Sequence, residues 1–292
     1  MRSWKVSVHG CHSGQFCDHA EGNLEDFVKA YIEKDFCWIG LTEHMPAEED
    51  KYLPPEERAN GHTAKSVQKR FGEYMKEAFR LQKAYADQIK IYVGFETEGY
   101  VGAGIWAQKL VRQYRPDYVV ASVHHVKGFA FDHSPIEYEK ALHLAGSPEA
   151  LYNAYFDRQY ELFHFLAPQV VGHFDLIRIF DPDYEQDIKI PSVWERIERN
   201  LAFMKQHHAI LDFNLRAIAK GAKEPYICAP ILKRCLEWGI QVVPGEDSHS
   251  PDDCGQFIDQ GLEVLRKIGI EGPFDPPGPF EPAVFGEKEL PE

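Results

Sequence analysis

The sequence predicts an α/β fold in which seven parallel strands close into one barrel. Short β-branched or apolar runs alternate with helical stretches along most of the chain, and parallel strands need such crossover helices. A histidine or an acidic residue follows nearly every run, as expected where strand ends line a common mouth. The length of 292 residues suits a single barrel, and we expect residues 1–292 to form one domain.

In the first half of the chain, apolar runs predict strands and apolar side chains at helical spacing predict helices. In order, the predicted elements are a strand at 5–8, a helix at 23–34, a strand at 37–42, a surface loop at 47–63, a helix at 65–88, a strand at 90–95, a helix at 104–114 and a strand at 117–123. The loop at 47–63 is long, polar and proline-bearing, and such loops are often functional.

The second half continues the same alternation. In order, it carries helical residues at 136–166 interrupted near Gly146-Ser147-Pro148, a strand at 170–172, a helix at 191–206, a strand at 209–214, a helix at 225–237 and a strand at 241–245. Prolines between 276 and 291 then predict an extended tail over about 272–292, because proline lacks the amide proton that a helix needs.

Composition restricts the partners of this chain. Lys and Arg number 32 against 46 Asp and Glu, a net charge of −14, so we expect no nucleic acid partner and no anionic membrane surface. No run approaches the roughly 18 apolar residues of a membrane span, and no signal-peptide pattern precedes the first strand. The six cysteines include no CxxC pair, which favours reduced thiols and a cytoplasmic location. A small anionic substrate remains compatible with the charge, because bound cations can outweigh it locally.

The residues at the strand ends indicate a metal site. In order they are His9, His12, His19, His44, Glu96, His124, His173, Asp212, Asn214, Asp247 and His249. A lone histidine in such a place more often caps a strand or packs in a core, but unrelated caps would not recur at nearly every strand. Imidazole and carboxylate groups are ligands for zinc, manganese or iron. The set exceeds what one ion can bind, so it predicts two or three divalent metal ions.

In order, the motifs His-x-x-His, Thr-Glu-His-Met-Pro, Gly-Phe-Glu-Thr-Glu, Ser-Val-His-His-Val, Gly-His-Phe-Asp-Leu-Ile and Asp-Ser-His resemble those of the PHP (polymerase and histidinol phosphatase) family, and its histidinol-phosphatase branch in particular. The resemblance runs from about Val6 to His249. It implies a distorted TIM-type (β/α)7 barrel with three metal ions at the carboxyl ends of the strands. It also implies hydrolysis of L-histidinol phosphate in histidine biosynthesis, by a hydroxide that bridges two ions.

The resemblance also implies how the ligands divide among the ions. The first ion would be held by His9, His12, Glu96 and Asp247, the second by Glu96, His124 and His173, and the third by His19, His44 and His249. The family usually has His-x-His on its first strand, whereas His9 and His12 stand three residues apart here. A bulge at Gly10 would realign His9, since glycine tolerates unusual backbone angles.

Candidate groups for the substrate follow from the same resemblance. Arg178 and Arg216 lie just past strand ends and are candidates to clamp the phosphate, since a guanidinium fork matches its oxygens; the alternative for each is a surface ion pair. Asp247 or a metal-bound water would protonate the leaving group. The amine and imidazole of the substrate would need acids, and the candidates are Glu98, Asp132, Asp175 and Glu56.

Three other functions fit parts of the pattern. The same chemistry could act on another small phosphate ester, and a non-catalytic PHP module could bind metal for structure or regulation. A metal amidase barrel would cleave C–N bonds instead, but such barrels often carry a carboxylated lysine late on a strand, and no lysine stands at a strand end here.

Overall fold

The computed structural model describes residues 4–278, and seven of its strands form a parallel barrel. In chain order the strands are β1 (Val6–Ser7), β2 (Trp38–Leu41), β3 (Lys90–Glu96), β4 (Tyr118–Ala121), β5 (His125–Val126), β6 (Phe129–Ala130), β7 (Val170–Val171), β8 (Ile210–Asn214) and β9 (Val242–Gly245). The barrel order is β1-β2-β3-β4-β7-β8-β9, so spatial neighbours are also neighbours in sequence. The predicted α/β barrel of seven strands is confirmed.

Eleven helices are present within residues 4–278. They are α1 (Leu24–Glu33), α2 (Pro55–Ala59), α3 (Ala64–Ala84), α4 (Ala103–Tyr114), α5 (Pro135–Ala145), α6 (Pro148–Leu166), α7 (Tyr184–Asp187), α8 (Pro191–Gln206), α9 (Arg216–Ala219), α10 (Ala229–Trp238) and α11 (Ile258–Lys267). The break between α5 and α6 has a local cause. Gly146 ends α5 with φ +87°, the Ser147 side chain accepts from the amide of Ala150, and Pro148 opens α6, a sequence of stop and start signals.

Three features differ from the sequence prediction. The segment 47–63 is not all loop, since it contains a 3-10 turn at Asp50–Tyr52 and the helix α2, which begins at a proline. Helix α11 was not predicted, although its buried Ile258 and Leu265 stand at helical spacing. The β5–β6 hairpin was also missed; its turn residues Lys127 and Gly128 both have positive φ, as a tight hairpin turn requires.

The first and last barrel strands meet beyond their regular ends and complete the ring. The amide of Val8 donates to the Pro244 carbonyl at 2.9 Å, and the amide of Ser248 donates to the Gly10 carbonyl at 2.8 Å. Between these bonds, the amides of Glu246 and Asp247 both donate to the single carbonyl of His9, each at 2.9 Å. Two amides on one carbonyl mark a local irregularity of the ladder, of the kind that a β-bulge produces.

The barrel interior is filled by side chains below the mouth. Tyr118 lies fully buried in it, and its hydroxyl donates to the carbonyl of Val8 at 2.6 Å. Gly40 provides the room, because a methyl group there would lie 1.8 Å from the Tyr118 hydroxyl oxygen. The polar strand ends therefore face a closed floor rather than a pore.

The helices of residues 4–278 include none that is both long and apolar enough to cross a membrane.

The start of the predicted tail lies against the barrel, since the indole of Trp38 donates to the Phe274 carbonyl at 3.0 Å. Residues 279–292 of that tail lie outside the described residues.

Candidate metal centre

The strand ends converge on one carboxylate, that of Glu96 at the end of β3. Glu96 is 1% exposed, and its two oxygens lie within 3.4 Å of five imidazole rings. Oε1 lies 2.8 Å from His173 Nε2, 3.2 Å from His124 Nε2 and 3.4 Å from His9 Nε2, and Oε2 lies 3.2 Å from His44 Nδ1 and 3.3 Å from His12 Nε2. Groups from five strand ends thus meet at a single point.

The irregular start of the chain brings both His9 and His12 to this point. Gly10 lies so close to β2 that a Cβ atom would stand 1.8 Å from the carbonyl oxygen of Gly40. Glycine is therefore needed here for close approach, and its φ is not in the left-handed region. The adjacent amides of Glu246 and Asp247 share the His9 carbonyl, so the irregularity lies on the partner strand and not at Gly10, where the bulge was predicted.

A ring of outer acceptors fixes which nitrogen of each imidazole faces the centre. Three carboxylates and one carbonyl approach Nδ1 atoms: Asp212 lies 3.0 Å from His9, Glu43 3.2 Å from His12, Asp132 2.9 Å from His124, and the Asp247 carbonyl 2.8 Å from His249. A carbonyl or carboxylate oxygen only accepts, so each of these four Nδ1 atoms donates to it and the Nε2 atom lies on the opposite side of the ring. Metal-binding histidines have this outer arrangement.

A second group of imidazoles lies on the side of the centre nearer to solvent. His19 Nε2 lies 3.2 Å from His44 Nε2, and the His249 ring lies 4.9 Å from His12 and 5.3 Å from His19 between ring centroids. Burial, together with the positive charges on His44 and His12, lowers the pKa of His19 to about 3. The pKa of His249 is also lowered well below its ordinary value, chiefly by burial, so the His19 and His249 rings are neutral at physiological pH.

The inner part of the centre has the opposite electrostatic character. Burial alone would lower the pKa of His9, but the charges of Glu96 and Asp247 outweigh it and raise that pKa to about 10. Glu96 keeps its negative charge despite complete burial, because His9 and His124 hold the pKa of its carboxyl well below the ordinary value. The two buried carboxylates, Glu96 and Asp247, are therefore stable here only with positive charge beside them, either protons on the imidazoles or metal cations.

The residues present fit metal ions. Among residues 4–278, His9 Nε2, His12 Nε2 and His44 Nδ1 are buried beside carboxylate oxygens 2.8 to 3.4 Å away but make no well-aligned hydrogen bond. Buried nitrogens that face carboxylates in this way suit a cation placed between them. Four overlapping sets have donor atoms within 4.8 Å of one another: His9, His12 and Glu96; His9, His173 and Asp247; His44, Glu96 and His124; and His12, His44 and His249. Sets that share members suit neighbouring ions better than one isolated ion.

A cavity of about 300 Å³ opens above the centre. Most of the predicted metal ligands line this cavity. So do three of the predicted substrate-binding acids, Glu98, Asp132 and Glu56, and one of the two predicted arginines, Arg216. Asp175 and Arg178 are not among its lining residues. The segment 47–63 covers one side, through Tyr52, Pro54 and Pro55 among others.

The two predicted arginines differ in their surroundings. Arg216 lines the cavity, donates to Asp253 Oδ2 at 3.2 Å through Nη1, and has a buried Nε with no partner among the described residues. Arg178 is 6% exposed; its Nε donates to Asp175 Oδ2 at 3.1 Å and its Nη2 to the carbonyls of Glu224 and Pro225. The guanidinium of Arg178 stacks over the ring of Tyr226, which lines the cavity. Of the three guanidinium nitrogens of Arg178, only Nη1 has no hydrogen-bond partner among the described residues.

The predicted acids are also partly engaged. Glu98 Oε1 lies 2.8 Å from His44 Nδ1, Asp132 holds His124, and Asp175 accepts from Arg178 and from the Cys228 amide. Glu56 Oε1 lies 3.1 Å from His133 Nδ1. Of the four, Asp175 is fully buried away from the cavity.

Sequence reasoning missed several residues that belong to this site. Glu43 directly precedes the proposed ligand His44, so its position at a strand end was a usable signal. Lys220, Glu57 and Arg70 also line the cavity. Glu57 lies on α2, Arg70 on α3 and Lys220 just past α9, where no strand-end rule applies.

The fold and the site together define a class: an α/β barrel with a histidine and carboxylate cluster at the carboxyl ends of its strands. The PHP domain family matches residues 9–216. The chain belongs to the PHP family.

Similar proteins cover nearly the whole chain. The probable histidinol-phosphatase of Schizosaccharomyces pombe is 39% identical over 270 residues, covering 91% of this chain and 87% of the relative. The histidinol-phosphatase of Saccharomyces cerevisiae is 28% identical over 297 residues, covering 89% and 88%. The histidinol phosphate phosphatase of Lactococcus lactis, solved with zinc, L-histidinol and phosphate, has the same fold with a TM-score of 0.70 at 21% identity, covering 91% and 94%.

Proposed function

We propose that this protein is a histidinol-phosphatase, a phosphoric monoester hydrolase that converts L-histidinol phosphate to L-histidinol and phosphate in histidine biosynthesis. The observation that carries the proposal is the convergence of five imidazoles on the buried Glu96 carboxylate, in a chain 39% identical to a probable histidinol-phosphatase. The buried thiols Cys11, Cys17, Cys228, Cys235 and Cys254 agree with work in a reducing cytoplasm.

We keep the division of metal ligands that the family resemblance implies; the overlapping donor sets contain all of these residues except His19, which lies 3.2 Å from His44. His9, His12, Glu96 and Asp247 would hold one ion, Glu96, His124 and His173 a second, and His19, His44 and His249 a third. The zinc in the Lactococcus lactis enzyme supports zinc here, and imidazole with carboxylate suits it. Bound divalent ions supply an activated water and offset negative charge on the phosphoryl oxygens.

Arg216 is the first candidate to hold the phosphoryl group. Its unpartnered Nε and its place on the cavity wall leave a donor for an oxygen of the ester. Lys220 on the same wall adds positive charge without directional preference. Arg178 does not line the cavity; Asp175 fixes its guanidinium and it stacks over the cavity residue Tyr226, so its positive charge would act from behind that ring. Together these cations would counter the charge that spreads over the equatorial oxygens during transfer.

Asp247 is the proposed proton carrier. Its carboxylate lies 3.1 Å from His12 Nε2, and its backbone has φ +51°, a conformation that costs energy for a residue other than glycine. Burial opposes ionisation, but the charge of His9 and the hydrogen bond from His12 keep the pKa of Asp247 well below its ordinary value. Asp247 is thus ionised at rest, and in this proposal it would accept a proton from the attacking water and pass it to the leaving oxygen.

Steady-state turnover of L-histidinol phosphate, compared with a panel of small phosphate esters, tests this function. We expect the highest kcat/KM for histidinol phosphate, together with at least two metal ions per chain by elemental analysis of protein prepared without chelator. Poor turnover of histidinol phosphate alongside good turnover of another ester would overturn the substrate. Less than one ion per chain would overturn the metal assignment.

A further inference from the structure

A second charged cluster lies beside the metal centre, where the covering segment meets the first loop. It consists of Asp18, Glu57, His62 and Arg70. Glu57 and Arg70 both line the cavity, so the cluster borders the same space as the proposed metal ligands. None of its members has a role in the hydrolysis proposed above.

Arg70 is the hub of this cluster. Its Nη1 donates to Asp18 Oδ1 at 2.8 Å, and its Nη2 donates to Glu57 Oε1. His62 Nε2 lies 3.2 Å from the second oxygen of Asp18, which also accepts from Asn60 at 2.9 Å. Every oxygen of Asp18 is thus engaged, whereas only one oxygen of Glu57 is.

The other oxygen of Glu57 is the exception in an otherwise paired network. Glu57 is 5% exposed, and its Oε2 is buried with no hydrogen-bond partner among residues 4–278. An unsatisfied buried carboxylate oxygen is costly, and native proteins keep such atoms where a ligand completes them. Burial accordingly raises the pKa of Glu57 above its ordinary value, as expected for a carboxylate that lacks part of its counter-charge.

Charge balance indicates the kind of partner that is missing. Two carboxylates share the single guanidinium of Arg70, so one negative charge remains without a fixed cation. A donor that is itself positive, such as an ammonium or an imidazolium group, satisfies both the open oxygen and the charge. Glu98 and Asp132, which the sequence predicts as substrate-binding acids, are less available because they contact the imidazoles of His44 and His124.

We infer that Glu57, held in place by Arg70, binds a cationic group at the organic end of the substrate while the phosphate occupies the metal end. The inference rests on the proposed function for the identity of that substrate. It assigns the covering segment a part in specificity: esters with a positive tail would be preferred over neutral esters of the same size. Arg70 acts as a positioning residue, since it touches Glu57.

The test compares two matched substrates, 3-aminopropyl phosphate and propyl phosphate, with L-histidinol phosphate as a third. In the variant Glu57→Gln, which keeps the size of the side chain but loses its charge, we expect kcat/KM for the two cationic esters to fall about 10- to 100-fold, mainly through KM. The value for propyl phosphate should change less than about 2-fold. Glu57→Asp, which keeps the charge, should recover part of the preference.

The matched control is Glu49→Gln. Glu49 is an exposed carboxylate of the same covering segment, pairs with Lys51 at 2.8 Å and does not line the cavity. The Glu49→Gln variant should have the wild-type kcat/KM for all three substrates. Thermal unfolding of each variant reports whether the fold is intact.

Three results would overturn the inference. An equal loss on cationic and neutral esters would make Glu57 a structural anchor for the covering segment. Equal activity of wild type on the aminated and neutral esters would mean that no cation is recognised. Loss of one metal ion per chain in Glu57→Gln would mean that Asp18, Glu57 and His62 hold an ion instead, since their donor atoms lie within 4.8 Å of one another.

Failure of the proposed function would look different. A wild-type enzyme that ignores histidinol phosphate but prefers 3-aminopropyl phosphate over propyl phosphate would overturn that function alone. Loss of this preference in Glu57→Gln would then still support cation binding by Glu57.

Discussion

His173 Nε2 lies 2.8 Å from Oε1 of Glu96, although 77 positions separate the two residues in the chain. The contact joins the end of β3 to the residue just past β7. Such proximity of buried groups from distant strands arises because parallel strands all end at the same side of a barrel. The same contact places the centre of the proposed metal cluster on Glu96.

Glu96→Gln tests the central ligand. The substitution removes the negative charge that balances several cations, so we expect loss of at least one metal ion per chain and a fall in kcat of about 1000-fold or more. Elemental analysis and steady-state kinetics measure the two effects, with circular dichroism to confirm the fold. The control is Glu73→Gln, at an exposed glutamate on α3, which should change neither the metal content nor kcat. Near wild-type turnover in Glu96→Gln would remove its assigned role.

Asp212→Asn tests the outer shell. Asp212 accepts from Nδ1 of His9 at 3.0 Å and is fully buried. An amide is a weaker acceptor and can present its NH2 group, so His9 loses basicity and orientation. We expect a 10- to 100-fold weaker metal affinity, measured by competition with a chelator. Asp157→Asn, at an exposed ion pair with Arg196, should leave the affinity unchanged.

Arg216→Lys tests the phosphate clamp. Lysine keeps the charge but loses the planar fork, so we expect KM for substrate and Ki for inorganic phosphate to rise about 10- to 100-fold. Arg178→Lys should have a smaller effect on both constants, because two of its three nitrogens already bond to protein. Arg234→Lys, at a surface pair with Glu198, serves as the control. Equal effects of Arg178→Lys and Arg216→Lys would show that both arginines contact phosphate directly.

Gly10→Ala tests the close approach of the first two strands. The added methyl group would lie 1.8 Å from the Gly40 carbonyl oxygen, so the backbone must shift. We expect a loss of about 3 kcal/mol in the free energy of unfolding, measured by urea denaturation. At Gly278 an added methyl group meets nothing within 4 Å among residues 4–278, so Gly278→Ala should be neutral. Stability unchanged in Gly10→Ala would mean that the strands can separate at little cost.

Asp187→Asn tests a pH effect far from the metal centre. Burial, followed by the charge of Asp181, raises the pKa of Asp187 to about 6. A carboxyl group whose pKa is raised by folding stabilises the folded state at pH values below its ordinary pKa of 3.8. That stabilisation is lost as the pH rises through the folded pKa of about 6. The variant should therefore gain Tm relative to wild type as pH rises from about 4 to about 6 and keep that gain at higher pH. A Tm difference independent of pH would contradict the assignment.

The sequence was sufficient to predict the barrel, because alternation of apolar runs and helices leaves few arrangements of parallel strands. It also placed imidazoles and carboxylates at strand ends, whose role as ligands stays a prediction. It did not predict α2 or the β5–β6 hairpin, which are too short for periodicity to detect. The partners of Arg178 were equally hidden, because the carbonyls of Glu224 and Pro225 reach it through a loop conformation that no local pattern specifies.

Pairing of the first strand with the last has a consequence for biosynthesis. The amide of Asp247 bonds to the carbonyl of His9, so the first member of the proposed ligand set and one of its last two members order one another. Asp247 and His249 are the last of these ligands to leave the ribosome. An unfinished chain therefore offers an incomplete set of these donors, and the full proposed set exists only once translation has passed β9.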